Sequence, residues 1–241
     1  MTEAPAPNKE QYTMSSTPQP QARAEGVLET KAPTFSTDEA VEIAQQAYDI
    51  RASAHLLVSE RDQNFRLHAN DGSEWVLKIA NPAENPKLLD MQTQALVHIA
   101  QVDPSMAVPR VKPAANGALF HEIDGVDGRR FITRVLTYLP GELLEEATLH
   151  PALLRDVGTT TARLGRALRG FFHPSARHEL LWNITQAPEL RTRTHHIGEP
   201  GHRSVVEKVL DHFDADVLPI LRKLRAQIIH NDIGCMNTIV A

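Results

Sequence analysis

The sequence predicts an α+β protein in which a small β-rich lobe is followed by a helical lobe, with a cleft between them. Three observations predict it. Short strand-like segments crowd into residues 54–80 around an Asn70-Asp71-Gly72 turn. Pro140-Gly141 then breaks the chain. Beyond that break the apolar residues recur at helical spacing rather than in alternation.

Residues 1–33 are rich in Pro, Gln, Ala, Ser and Thr and poor in large apolar side chains. Such a segment cannot bury enough surface to offset its conformational entropy, so a disordered tail is expected there. Order is expected from Ser36, because Ser36 and Glu39 stand at capping-box spacing. Val41, Ile43, Ala44, Ala47 and Tyr48 then follow at helical spacing. Ala54–Glu60, Asn64–Ala69 and Ser73–Ala80 read as three strands. Asp71 and Gly72, which tolerate positive φ, close a hairpin between the last two. Leu88, Leu89, Ala95, Leu96 and Ile99 predict a helix over Pro86–Gln101, with Pro86 suited to its first turn. Leu119–Ile123 and Arg129–Tyr138 form a second predicted hairpin around Gly125 and Gly128. Past Pro140-Gly141, amphipathic helices are predicted over Pro151–Arg169 and Arg203–Arg225, the latter despite Pro219. Ala226–Ile229 is short and apolar, as a strand entering a loop would be. The lobes thus divide as 34–138 and 139–241.

The composition narrows the function classes. With 25 Lys+Arg against 30 Asp+Glu, the formal charge is −5 and no basic stripe marks a nucleic-acid binder. No apolar run reaches the length of a membrane span. The first residues lack the cationic start and apolar core of a secretory signal. One cysteine, Cys235, excludes an internal disulfide and fits a reducing compartment. A cytoplasmic protein is expected, with neither nucleic acid nor membrane as partner.

The segment richest in chemistry is Ile228–Val240, IIHNDIGCMNTIV. His230-x-Asp232 is followed five residues on by Asn237, between apolar flanks Ile228, Ile229, Ile239 and Val240 that argue against a loose surface loop. Phosphoryl transfer needs a group to accept or orient a hydroxyl proton and oxygens to hold Mg²⁺. Asp232 suits the first role. Asn237 can bring an amide oxygen to a metal that Asp232 also faces. His230 reads as a brace for the backbone. In Trp75-Val76-Leu77-Lys78-Ile79, strand alternation puts Val76, Lys78 and Ala80 on one face. An apolar neighbourhood around a lysine suits a nucleotide cleft, Val76 covering the base and Lys78 reaching the α- and β-phosphates. An exposed lysine on a half-buried strand is the plainer alternative. The Ser59–Phe65 turn has no glycine, but its backbone N–H groups and Asn64 could cover phosphates.

These pieces have a collective likeness. DQNF before a strand, VLKIA, NPKLLDMQTQAL, TRVLTYLPG, LLWNI and HNDIGCMN run in this order over residues 40–241. In that order and spacing the chain resembles hydroxylysine kinase-like members of the aminoglycoside-phosphotransferase family. The resemblance implies a protein-kinase-like bilobal fold: a nucleotide-binding lobe at 34–138 and a partial helical large lobe ending just after the catalytic loop. It further implies transfer of the γ-phosphate of ATP or GTP, with Mg²⁺, to a small hydroxylated amine, best represented by 5-hydroxylysine. By matched position Asp232 is the catalytic base, Asn237 a metal ligand with Asp232, and Lys78 the phosphate-binding lysine. Thr137, Tyr138 and Leu139 then form the hinge that meets the base through backbone groups.

Two departures from the family pattern stand out. Where a glutamate would orient the lysine, the helix offers Asp90-Met91-Gln92, leaving that role to Gln92 or Asp90. A second metal-binding Asp is expected after the catalytic loop, and the chain reaches Ala241 without one. A catalytically incomplete kinase-like fragment that binds nucleotide or a partner without turnover, inactive because it stops before that Asp, is therefore the rival reading. Elsewhere, His195, His196, His202 and His212 lack ligand partners at metal-site spacing. Cys235 reads as a small loop side chain. Trp182 reads as packing within the large lobe. Arg155, Arg163, Arg166 and Arg169 read as a solvated helix face.

Overall fold

The computed structural model describes residues 30–125, 128–178, 180, 182–221 and 223–241. Residues 1–29 of the expected tail lie outside them. Its last part is described: the Thr30 and Lys31 carbonyls accept from Asn81 Nδ2 at 3.2 and 3.5 Å.

Helix α1 (Thr37–Tyr48) starts at the foreseen capping box. Ser36 Oγ accepts the Glu39 N–H at 3.2 Å, and Glu39 Oε2 accepts the Ser36 N–H at 2.7 Å. Strands β1 (Ala52–Leu57), β2 (Gln63–Ala69) and β3 (Glu74–Ile79) form an antiparallel meander. β1 sits two residues earlier than its sequence texture suggests. Leu57 opposite Asn64 is its last ladder pair, and Val58, left without a partner strand, is fully exposed. Helix α2 (Pro86–Val102) follows, with Asn85 as N-cap and Pro86 in its first turn. Strand β4 (Val111–Lys112) is too short, between Pro109 and Pro113, to leave a periodic signal. Strands β5 (His121–Asp124) and β6 (Arg130–Thr137) make the second hairpin. Its turn residues Val126 and Asp127 lie outside the described residues.

The sheet runs β1-β2-β3-β6-β4, with β5 also paired to β6. Alternation sorts its two faces. Phe65, Leu67, Leu77, Ile79, Phe131 and Val135 are buried against Ala40, Ala44, Ala47 and Tyr48 of α1. Each large side chain so buried contributes about 1.5–3 kcal/mol. The opposite face carries Asn64, Arg66, Val76, Lys78, Arg134 and Leu136.

After Pro140-Gly141 comes strand β7 (Glu142–Leu143), then helix α3 (Pro151–Ala167). Ile99 and Met106 pack on Leu164, Ala167 and Leu168, so the far end of α2 docks onto α3. Arg163 is not on a solvated face as read: its guanidinium grips both oxygens of Asp103 and the Ser105 hydroxyl, because α2 ends beside it. Ile184–His196 is a run of 3-10 turns. Helix α4 (Pro200–His212) begins three residues before Arg203 because Glu199 caps it, accepting the His202 N–H at 2.6 Å. Its predicted continuation to Arg225 reaches only Leu221 and is irregular ahead of Pro219. Proline has no N–H to give to Ala215, and the chain loosens into a π-helical turn over Phe213–Val217 before the short α5 (Leu218–Leu221). Ala226–Ile229 is not a strand; Gln227 Nε2 ties this stretch to the Gly165 carbonyl of α3 at 2.7 Å. Trp182 is 47% exposed rather than packed in a core. Among the described residues no helix is long and apolar enough to cross a membrane.

Candidate active site

The Asp232 loop is shaped by its own hydrogen bonds. Asn231 adopts a left-handed conformation (φ 62°), which asparagine tolerates better than most residues. Cys235–Asn237 then forms a 3-10 turn, the Asn237 N–H donating to the Gly234 carbonyl at 3.1 Å. This turn folds Asn237 back on Asp232. Asn237 Nδ2 donates to Asp232 Oδ2 at 2.9 Å and to the Asp232 carbonyl at 3.1 Å. The two residues singled out by spacing are thus in side-chain contact. His230 is exposed and makes no hydrogen bond among the described residues, so it does not brace the loop. The apolar flanks are not buried either. Ile229 and Ile239 are exposed, and Ile228 and Val240 are half-buried.

The loop ends in strand β8 (Ile239–Val240), which pairs antiparallel with β7. Leu144 N–H donates to the Thr238 carbonyl at 2.9 Å. Gly141 makes the pairing possible. Its φ is +135°, and a Cβ there would strike the Val240 carbonyl oxygen and lie 2.6 Å from Ile239 Cγ2. The break after the sheet and the end of the Asp232 loop are one structural unit.

Lys78 lies on the face that alternation assigned it. Asn64 is its cross-strand neighbour on β2, and Asn64 Oδ1 accepts from Nζ at 3.0 Å. Asp62 Oδ2 lies 3.7 Å from Nζ, and the lysine side chain is 24% exposed. Burial pushes the Lys78 ammonium below the usual lysine range, and Arg134 adds to that, while Asp62 opposes it. Neither residue foreseen to orient Lys78 does so. Gln92 Oε1 accepts from Arg134 Nη1 at 3.2 Å, and Asp90 Oδ2 pairs with His173 Nε2 at 3.1 Å.

Arg134 is the residue that sequence reading missed. It stands directly across from Lys78 on β6, is 5% exposed, and has an Nε without a hydrogen-bond partner among the described residues. Desolvation lowers its pKa against the pull of Asp62 and Glu84. Burial in turn raises the Glu84 carboxyl, with Arg61 opposing. A signal was available: TRVLT aligned antiparallel with WVLKI brings these two cations opposite each other.

Val76 is half-buried between Arg66 on β2 and Leu136 on β6. Arg66 lies 3.9 Å above the Tyr138 ring and holds Glu74 Oε1 at 2.7 Å. The Thr137 N–H donates to Arg110 O at 2.9 Å and the Tyr138 N–H to Glu74 O at 3.1 Å. Of the three residues expected to meet a base through the backbone, two therefore have their N–H groups engaged in the sheet. Only Leu139 stands past the last of these bonds.

The sequence pattern described as the phosphotransferase enzyme family matches residues 55–241. Hydroxylysine kinase of Bos taurus is 29% identical over 223 residues, covering 86% of this chain and 59% of that protein. Hydroxylysine kinase of Danio rerio is 30% identical over 218 residues, covering 86% and 61%. The chain thus spans about three-fifths of the length of these relatives. Among solved structures, spectinomycin phosphotransferase APH(9)-Ia with ADP and spectinomycin superposes with a TM-score of 0.58 at 10% identity, covering 87% of this chain and 66% of that one. Amicoumacin kinase hAmiN, in complex with AMP-PNP, Ca²⁺ and Ami, gives 0.54 at 17% identity, covering 80% and 55%. At these identities the structures speak to the fold, and the protein-kinase-like α+β fold implied by the resemblance is the one they share with this chain.

Proposed function

The chain belongs to the phosphotransferase enzyme family, and on that premise we propose that it moves the γ-phosphate of ATP or GTP to the hydroxyl of a small amino alcohol, 5-hydroxylysine. The observation that carries this reading is the contact between Asp232 and Asn237 on a loop bound to the strand that follows the sheet.

Asp232 orients the acceptor hydroxyl and takes its proton as the new O–P bond forms and the bond from the γ-phosphorus to the bridging oxygen breaks. Its exposed carboxylate is open to a substrate. Lys78 neutralises charge on the α- and β-phosphates, and Val76 covers the base. Asn64, now on Lys78 Nζ, is the partner that phosphate oxygens would replace. Leu139 offers backbone groups to the base beside Thr137 and Tyr138. Asp232 and Asn237 would hold Mg²⁺ through a carboxylate oxygen and an amide oxygen, hard donors of the type it takes; the Asn237 amide nitrogen now faces Asp232 Oδ2, so the amide would turn its Oδ1 to the ion. Mg²⁺ usually keeps waters and substrate phosphates as its other ligands, so two protein donors fit it. When bound, the ion supplies charge neutralisation to the transferring phosphate.

The test is to incubate the chain with MgATP or MgGTP and either 5-hydroxylysine or lysine, and to look for phosphorylated product by mass spectrometry. Product from hydroxylysine alone is expected. Saturable nucleotide binding without transfer to any hydroxylated amine would favour the rival reading, a kinase-like nucleotide-binding protein. Absence of nucleotide binding would remove both.

A further inference from the structure

A phosphate-binding lysine on a covered sheet face needs a carboxylate to keep it charged and aimed, and helix α2 does not supply one. Its Gln92 is turned to Arg134 and its Asp90 to His173. The carboxylate beside Lys78 comes from the other side of the strand. Asp62, just before β2, directs Oδ2 at Nζ from 3.7 Å with 20% of its side chain exposed. Its other oxygen, Oδ1, accepts the Asn81 N–H at 3.2 Å, just beyond β3. Asn81 is 2% exposed, and its Nδ2 donates to the Arg61 carbonyl at 3.3 Å. The carboxylate is therefore fixed by the backbone at both strand ends and not by a swinging helix.

The charges facing Lys78 make this carboxylate necessary. Arg134 stands across the ladder from β6, and Lys78 has already lost water to burial. Glu84, from the connection to α2, is itself engaged by Arg61 at 3.8 Å. Asn64 is a neutral acceptor. Asp62 is the anion left to balance the lysine.

We propose that Asp62 is the positioning residue of Lys78, doing from the β1–β2 loop what a helix carboxylate would otherwise do. This rests on the reading of Lys78 as the phosphate-binding lysine. Because Asp62 sits at the foot of the loop expected to cover the phosphates, movement of that loop and the aim of Lys78 are coupled through one side chain.

The experiment is a titration of MgATP and MgGTP affinity from neutral to alkaline pH for the parent chain, Asp62→Asn, Asp62→Glu, Asp90→Asn and Lys78→Ala. Binding needs a charged lysine, so it is lost as pH rises through the Lys78 pKa. Asp62→Asn keeps an oxygen for the Asn81 N–H but removes the charge. It is expected to weaken affinity on the order of tenfold and to move the alkaline loss about one pH unit lower. Asp62→Glu should return the loss to the parental pH, and Asp90→Asn should leave it unchanged. The proposal is overturned if Lys78→Ala abolishes binding while Asp62→Asn keeps the parental alkaline midpoint, or if Asp62→Glu shifts it as Asp62→Asn does. If Lys78→Ala binds nucleotide as the parent does, the reading of Lys78 falls first and this one with it.

Discussion

Lys78 on β3 and Arg134 on β6 are direct cross-strand partners, two cations side by side on the covered face of the sheet. Like charges so placed destabilise a ladder. Here the field of Asp62 and Glu84 offsets them, since both carboxylates act on Arg134 and Asp62 acts on Lys78. Gln92 and Thr93 of α2 then fix the Arg134 fork at 3.2 and 3.4 Å.

Arg134→Ala should therefore cost far more than Gln92→Ala. The first empties the space of a buried side chain and takes a cation away from half-buried Asp62 and Glu84, a loss of about 2–5 kcal/mol. The second removes one acceptor from the guanidinium and should cost roughly 1–2 kcal/mol. Denaturant titration separates them, and equal losses would mean that charge balance is not what Arg134 provides.

Gly141→Ala should loosen the Asp232 loop without touching it. A methyl group at φ +135° would meet the Val240 carbonyl and Ile239, so the β7–β8 ribbon must part. Strain at such a position costs about 1–3 kcal/mol. Faster hydrogen exchange at the Leu144 N–H, which is held by the Thr238 carbonyl, is the expected readout. Unchanged protection there would show that the ribbon does not depend on Gly141.

Tyr48 ties α1 to the sheet. Its hydroxyl donates to the Thr133 carbonyl at 2.7 Å and lies 3.0 Å from Thr133 Oγ1. Tyr48→Phe should destabilise the fold by about 1–2 kcal/mol, because a buried carbonyl loses its partner. Burial also pushes the phenol up to about 12, above the value it has when unfolded. Between about pH 10 and that value the unfolded chain has shed a proton that the folded chain keeps, so stability falls with rising pH. It is fully present below that window, and the loss is roughly 3 kcal/mol at its upper end. Alkaline unfolding should be less steep in Tyr48→Phe; identical profiles would remove Tyr48 as the titrating group.

The local parts of this account were legible in the sequence. The Ser36–Glu39 box, the Asp71-Gly72 turn and the alternation around Lys78 depend on neighbours along the chain, and each formed where expected. Asp232 and Asn237 were likewise brought together by one short turn. What could not be read depends on how distant elements approach. Nothing in α2 says that Gln92 meets Arg134 rather than Lys78, because that follows from the rotation of the helix on the sheet. The two-residue strands Val111–Lys112 and Ile239–Val240 are too short for any period. Pro219 did carry a signal, and the helix broke into a π turn just before it. Apolar composition misled at Ile229 and Ile239, since an apolar residue beside a site need not be buried.

The most direct measurement is the rate of γ-phosphate transfer from MgATP or MgGTP to 5-hydroxylysine by the chain and by Asp232→Asn, with kcat and KM taken from the same curves. Removing a base that acts in the transition state should lower kcat by about 10²–10⁴-fold and leave KM nearly unchanged. The Asn237 contact can persist in the variant, since Oδ1 of an asparagine still accepts from Nδ2. A variant with near-parental kcat would contradict the account, because the carboxylate would then have no part in the chemistry.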